Sequence, residues 1–437
     1  MKFLQNLKLT YKFLLILGLI SIPIAVLGTL FLGAKNEGIN FAQKEISGAE
    51  YLVPLERFLA NVAAHNTLAS GSNSDPMFWN NIAPKQNEIK QDIAAVDAVD
   101  ELYGEELGTS KLWTEIKTEW NAVKNSHVEQ GPEESFYGHQ DVIFLIRDLV
   151  TKIGDSSNMV LDPNLDSYYL MDAIVPKLPS VIVDVENLRA QLVGVTTYRQ
   201  LTVDQKLDYK ILLDRIEGKL TETKRVFDAA GSYNPEIKKQ IGSDVSDFIS
   251  AGDAFVAMVR SDVLGDSRAS TTPVDVYNRS NQLISAWQLL INKTPPLAVS
   301  LLEERIDGFS SALYGNLGMV LICLLLALAT AFLIIRSISN PLAKAIGIFG
   351  SIEKGDYHTE INVQSKDEMG QLLSALKVMQ ETLRRQQEES DLYEENTRIR
   401  QGLDNVDASV MISNTEHEVV YVNEAATEVY RNAGGDI

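Results

Sequence analysis

FLLILGLISIPIAVLGTLFLGA (residues 13–34) and FSSALYGNLGMVLICLLLALATAFLII (residues 309–335) decide the architecture of this chain, and neither carries a charged side chain. A helix needs about 20 predominantly apolar residues to cross the hydrocarbon of a bilayer, and both stretches reach that length. Each reads as a transmembrane helix. Lys2, Lys8 and Lys12 precede the first, and Arg336, Lys344 and Lys354 follow the second. Basic flanks stay on the cytoplasmic side, so residues 1–12 and everything after the second span are expected in the cytoplasm, with residues 35–308 outside. A cleavable signal peptide is the competing reading of the first stretch, but the apolar run is long and no small-x-small site precedes Lys35.

The outer block is constrained by what it lacks. The chain has 39 basic against 59 acidic residues, and no cluster of Lys and Arg interleaved with aromatics occurs outside, so nucleic acid is not an expected partner. The only cysteine, Cys323, sits inside the second span. No disulfide framework within one chain is available, and the outer domain must stand on an apolar core. Its length suffices for one core or for two smaller stacked ones. Spacings of three and four recur in Ile89, Ile93 and Val96, in Trp113, Ile116 and Trp120, in Leu213, Ile216 and Leu220, and in Leu283, Trp287 and Leu290. Turn and cap residues separate these stripes at Gly71 to Pro76, Gly104 to Gly108, Gly131-Pro132, Asp162-Pro163, Gly231 to Pro235 and Gly265 to Pro273. The fold class is therefore all-α. The β-branched run Val181 to Val185 lies inside a helical period and is read as helix. Two helices join the block to the membrane: one from about Glu37 to Ser70, interrupted at Pro54, and one restarting at Thr294-Pro295-Pro296 and running into the second span.

After the second span the pattern is stricter. Ile338, Leu342, Ala345, Phe349 and Ile352 keep alternating spacings of four and three, a connector with Gly355, Ile361 and Val363 follows, and Met369, Leu372, Leu376, Met379 and Leu383 resume the heptad. With Pro341 close to the membrane and Asp367-Glu368-Met369-Gly370 opening the second helix, residues 336–388 resemble a HAMP domain, the parallel coiled-coil relay of dimeric sensors. The resemblance implies that Pro341, Leu342, Phe349, Glu368, Leu372 and Leu376 belong to the signal relay and that the chain is a homodimer. The heptad phase slips after Leu383, making residues 389–402 a helical linker. Period-two runs at Val410 to Ser413 and Val419 to Val422, then Asn423 as a helix cap, resemble the opening of a PAS domain, whose second strand often ends like Tyr421-Val422-Asn423-Glu424-Ala425. Residues 403–437 are expected to be an incomplete PAS segment that houses neither haem nor flavin.

Chemistry is sparse. His65, His127, His139, His358 and His417 have no partners at metal-ligand spacing, and neither a phosphate loop nor a nucleophile motif occurs. No catalysis, metal or cofactor is expected. His417-Glu418 lacks the downstream proline of a kinase phosphoacceptor box. The most distinctive outer segment is Asn158 to Asp172, where Asp166, Tyr168 and Tyr169 crowd the start of a helix, and it resembles a motif of large helical sensor domains in bacterial chemoreceptors. Asn158, Asp166, Tyr168 and Tyr169 are candidate ligand-binding residues, although the aromatics would equally fill a core and Asp162 would cap. Arg147 and Arg189 could meet an anionic ligand or serve as snorkelling or salt-bridged side chains. The whole resembles a methyl-accepting chemotaxis receptor of the bacterial inner membrane, sensing a small molecule or a ligand-loaded periplasmic binding protein. The resemblance implies a coupling protein and kinase as partners, contacted through residues absent from this chain. The sensor half of a histidine kinase or diguanylate cyclase, or a tethered binding module without output, has the same order of parts.

Overall fold

The computed structural model describes residues 7–196, 201–265 and 271–434. Lys2 and part of the expected break between Gly265 and Pro273 lie outside the described residues. The chain divides into two compact units, residues 28–317 and residues 1–27 with 318–437.

The first unit is helical throughout its described residues. Helix α1 (Leu9–Gly71) enters it, followed by α2 (Pro76–Leu107), α3 (Ser110–Val123), the single turn α4 (Ser126–Glu129) and α5 (Pro132–Ser156). A 3-10 turn (Met159–Leu161) and α6 (Leu165–Asp172) lead through a π turn (Ala173–Lys177) into α7 (Leu178–Thr196). Then come α8 (Val203–Tyr233), α9 (Pro235–Met258) and α10 (Pro273–Glu353). Local chemistry sets the joints. Asp75 caps α2 ahead of Pro76, Gly108 ends it in a left-handed conformation (φ 67°), Thr202 and Gln205 form a reciprocal capping box on α8, and Asn234 caps α9 ahead of Pro235.

Most of α7, and α1 beyond Ala42, bury side chains on nearly every side, as in Tyr51, Leu52, Leu55 and Phe58 or Val181, Ile182, Val183 and Val185. A helix that is apolar all round belongs in the middle of a bundle. Val181 to Val185 is therefore helical for the reason its period suggested. The buried apolar residues from Ala42 to Leu302 form one contiguous cluster.

Two expected interruptions are absent. α1 continues through Pro54 and α10 through Thr294-Pro295-Pro296. An interior proline costs about 3 kcal/mol, whereas each apolar side chain fully buried returns about 1.5–3 kcal/mol. Leu52, Leu55, Phe58 and Leu59 flank Pro54, and Leu290, Ile291, Leu297, Ala298 and Leu302 flank the Pro pair, all of them buried. Packing on both sides outweighs the missing hydrogen bonds.

The expected spans lie within α1 and α10. Their apolar windows have mean hydropathies of 2.5 and 2.9, and none of either window is buried inside the protein. A core helix of a water-soluble protein would hide such a surface. In the second unit, α10 ends at Glu353, Gly355 turns the chain with φ 84°, and α11 (Glu368–Asp404) runs without a break through the expected linker. Strands β1 (Met411–Ser413) and β2 (Val419–Val422) form an antiparallel hairpin pairing Met411 with Val422, followed by α12 (Glu424–Asn432). Asn423 holds this segment together. Its Oδ1 accepts from the N–H groups of Val410 and Ala426, and its Nδ2 donates to the carbonyls of Leu403 and Ala408.

Candidate functional site

The relay is built from the end of α10, the connector and the start of α11. Asp367 opens α11 by accepting from the N–H groups of Met369 and Gly370 at 3.1 and 3.0 Å, and Glu368 puts a negative charge on the positive end of the helix. Gly370 has a steric reason: a Cβ there would lie 1.8 Å from the Ser365 carbonyl oxygen. The Asp-Glu-Met-Gly run thus caps the helix and lets the connector pass against it.

The connector also reveals the direction of the pair. The Gln380 side chain donates to the Thr359 carbonyl at 2.8 Å, and Gly370 lies against Ser365. From Thr359 to Ser365 the connector therefore runs back along α11, from its later turns towards its first. The end of α10 then lies beside the later turns of α11, and the two helices are parallel. Ala345, Ile348, Ile361, Leu373 and Leu376 are buried between them, with Ile352 and Val363 packed alongside. Leu376 faces this interior, as the heptads predict. Leu342, Phe349 and Leu372 do not: they remain 36, 48 and 36 % exposed within one chain, and Pro341 is half-buried near the membrane end. The heptad reading missed Ile348 and Leu373, which seal the two helices of one chain. It selected instead an apolar edge that the single chain leaves uncovered.

Residues 333–385 match the family model of the HAMP domain. Searches of curated proteins and of solved structures return no match. With two apolar helices, the HAMP domain indicates a transmembrane signal transducer.

Outside the HAMP domain, the structure scatters the candidate ligand-binding residues. Asn158 takes a left-handed conformation (φ 69°) before the 3-10 turn. Asp166 accepts from Asn234 at 3.2 Å, and Tyr169 stacks on Tyr233 with ring centroids 5.9 Å apart while Tyr168 meets Tyr169 edge-on. The cluster fastens α6 to the junction of α8 and α9. Of the two readings of Arg189, the structure shows the salt-bridged one. It is 1 % exposed, pairs with Glu186 at 3.0 Å, donates to Asn281 and covers the Tyr277 ring at 4.0 Å. An anion has no access to it, because the guanidinium neutralises a carboxylate inside the bundle.

Arg147 is placed differently. It lines a cavity of about 260 Å³ with Thr151, Lys177, Ser180, Lys219 and Thr223. The π turn containing Pro176 forms one wall, since it displaces the backbone just before α7. Lys177 pairs with Glu222, and Lys219 with Asp184, which also takes both prongs of Arg215 at 2.8 Å. Burial lowers the Lys219 ammonium below its ordinary range, and hydrogen bonding to Asp184 opposes the shift. The Arg147 guanidinium forms no ion pair or hydrogen bond among the described residues. The cavity therefore presents one uncommitted cation and two whose charges are already shared.

A second polar centre joins the two helices that lead to the membrane. Arg305 on α10 donates to Glu45 on α1 at 3.3 Å and to Asp162 at 3.0 Å, and also to the Ser167 hydroxyl. The Asn164 amide, with its oxygen turned inwards, accepts from Arg305 Nε at 2.9 Å. Both carboxylate side chains are 0 % exposed. Two buried acids share one cation, and burial, followed by the charge of Asp162, raises Glu45 to about 8 despite Arg305. Asp162 also accepts from the Asn164 N–H, but its larger role is as the ion partner of Arg305. No sequence pattern announces this centre, because Glu45 and Arg305 are 260 positions apart.

Proposed function

We propose that the chain is a homodimeric transducer of the bacterial inner membrane that senses a small anionic molecule outside the cytoplasm and passes the signal through HAMP to a cytoplasmic output, of which chemotaxis is the one its outer segment resembles. The observation that carries the sensory part is the unpaired Arg147 in a cavity with two further cations and three hydroxyl groups. A carboxylate of modest size matches that chemistry, because charge-assisted bonds to Arg form in pairs with fixed geometry. A ligand there would bridge α5, the π turn and α8, and its preference for one packing of the bundle would bias the equilibrium between relay states. The hairpin after α11 serves in this reading as the start of a PAS domain.

The test is a thermal-unfolding screen of the full chain in nanodiscs against small mono- and dicarboxylates. A ligand present at a hundredfold its Kd adds about 2.7 kcal/mol to the stability of the state it binds. Arg147→Gln is expected to leave the ligand-free stability within about 0.5 kcal/mol, since the residue is exposed. Affinity should fall about tenfold to a hundredfold, the equivalent of one charged hydrogen bond of about 1.5–3 kcal/mol. Unchanged affinity in Arg147→Gln would remove this cavity as the sensory site.

The topology has its own test. Single cysteines at the exposed positions Ser232 and Ser390, in a Cys323→Ser background, are probed with a membrane-impermeant thiol reagent on intact spheroplasts. Labelling at position 232 and protection at position 390 are expected. Labelling at position 390 would reverse the assignment.

A further inference from the structure

Three of the histidines that lack ligand spacing in sequence come together inside the outer segment. His65 on α1, His127 on α4 and His139 on α5 are 0, 8 and 0 % exposed. Trp120 on α3 stands edge-on to His65 at 5.0 Å and to His139 at 6.0 Å, and Trp79 on α2 stands edge-on to His127. Among the described residues, no group of three His, Cys, Asp or Glu side chains is placed to hold a metal ion.

The hydrogen bonds fix the protonation state. His139 Nδ1 lies 2.6 Å from the Ser135 carbonyl. A carbonyl only accepts, so the hydrogen is on Nδ1, and Nε2 of the neutral ring carries a lone pair. His65 Nδ1 lies 2.8 Å from that Nε2 and must be the donor. His65 Nε2 then accepts from the Gln86 amide at 3.2 Å. The run from Gln86 through His65 and His139 to Ser135 closes only when both rings are neutral. A proton added to His139 Nε2 confronts the His65 N–H, and one added to His65 Nε2 confronts the Gln86 N–H. Gln86 cannot turn its oxygen inwards at no cost, because its nitrogen also donates to the Lys124 carbonyl at 2.9 Å and to Asn125 at 3.3 Å.

Nothing nearby compensates a positive charge. The ionisable groups facing His65 are His139, His127 and Lys85, and all three disfavour its protonation. None of the three histidines makes an ion pair among the described residues, and His127 Nδ1 is buried without a partner. Burial is the first cause that holds each ring below its ordinary value, with His139 brought down to about 4.

We propose that the His65–His139–His127 cluster is an acid-responsive switch in the outer segment, closed as a neutral hydrogen-bonded chain and opened by proton uptake. It stands independently of the carboxylate cavity. Opening separates α5 from α1, the helix that continues into the first span. The linkage has a definite sign. Histidines in the unfolded chain bind protons near pH 6.5 while these do not, so stability is fully present above that value and is lost as pH falls towards about 4. Each such histidine reduces the folded-to-unfolded ratio about tenfold per pH unit within the window. Glu45, with its raised value, acts in the opposite direction, so the reading is taken as a difference between chains that both retain it.

The experiment uses the full chain in nanodiscs. Thermal unfolding of wild type is compared with His65→Phe/His139→Phe between pH 7.5 and 5, and below about pH 6.5 the folded-to-unfolded ratio of the wild type should fall at least tenfold further per pH unit than that of the variant. Parallel pH profiles would overturn the proposal. Should the double variant fail to fold, exchange of the imidazole Cε1 hydrogen, followed by mass spectrometry on the wild type, reads the same property. Half-protonation of His65 and His139 well below pH 6, with amide protection in residues 132–156 lost over the same range, supports the switch. Ordinary titration near pH 6.5, or protection unchanged through the titration, contradicts it.

Discussion

Replacing Arg305 with methionine is expected to destabilise the helical segment between the two apolar spans by about 3–5 kcal/mol, the cost of removing one partner from a buried ion pair. Glu45 and Asp162 would remain inside the bundle with no cation. Arg305→Lys should recover part of the loss, because an ammonium restores the charge without the fork that reaches Glu45, Asp162 and Ser167 together. Denaturant unfolding of the full chain in nanodiscs reads both variants. The pH dependence of stability reports on Glu45 separately. Glu45 has a folded-state pKa of about 8 against its ordinary 4.5. The folded state therefore favours the protonated acid, and the contribution is present below about 4.5 and lost as pH rises through about 8. Glu45→Gln, which keeps the neutral shape, should flatten that decline and make the chain the more stable of the two at pH 9. A steeper decline in Glu45→Gln would mean that the ionised form is the stabilised one.

A charge at Leu376 should disrupt the relay to a similar degree. The side chain is 3 % exposed between α10 and α11, where truncation to alanine alone would cost about 2–5 kcal/mol. Leu376→Glu adds an unpaired buried charge to that loss. Lys377→Glu, one position away and exposed, should remain within about 0.5 kcal/mol of wild type. Limited proteolysis across residues 354–367 measures the outcome: rapid cleavage is expected in Leu376→Glu and wild-type rates in Lys377→Glu. Equal rates in the two would place Leu376 outside the packed seam.

The membrane spans and the HAMP domain were legible because their constraints are local. A bilayer demands an unbroken apolar length, and a coiled coil demands its heptad. Asp367 to Gly370 were readable only as a motif resembling that of the HAMP family, and the cap made by Asp367 and the clearance made by Gly370 emerge from the structure. Within the heptads, however, spacing alone does not separate the seam inside one chain from the edge left for another. Ile348 and Leu373 were missed for that reason, while Leu342, Phe349 and Leu372 were selected. The polar centres were illegible for a different reason. Arg305 meets Glu45 across 260 positions, and His65 meets His139 across 74; no periodicity spans such distances. Arg189 was open to two readings because a buried, paired arginine and a ligand-binding arginine look alike in sequence. Its partners Glu186 and Asn281 decide the matter.

In the proposed homodimer, a second copy of the chain covers the apolar edge of the HAMP domain. In a symmetric dimer, positions near the axis approach their own copies and positions on the outer surface do not. Cysteines are introduced singly at Leu342, Phe349, Leu372, Glu353 and Lys377 in a Cys323→Ser background, and disulfide formation between chains is timed in native membranes. A dimer of this kind crosslinks rapidly at Leu342, Phe349 and Leu372 and slowly at Glu353 and Lys377. Equal rates at all five positions would contradict it.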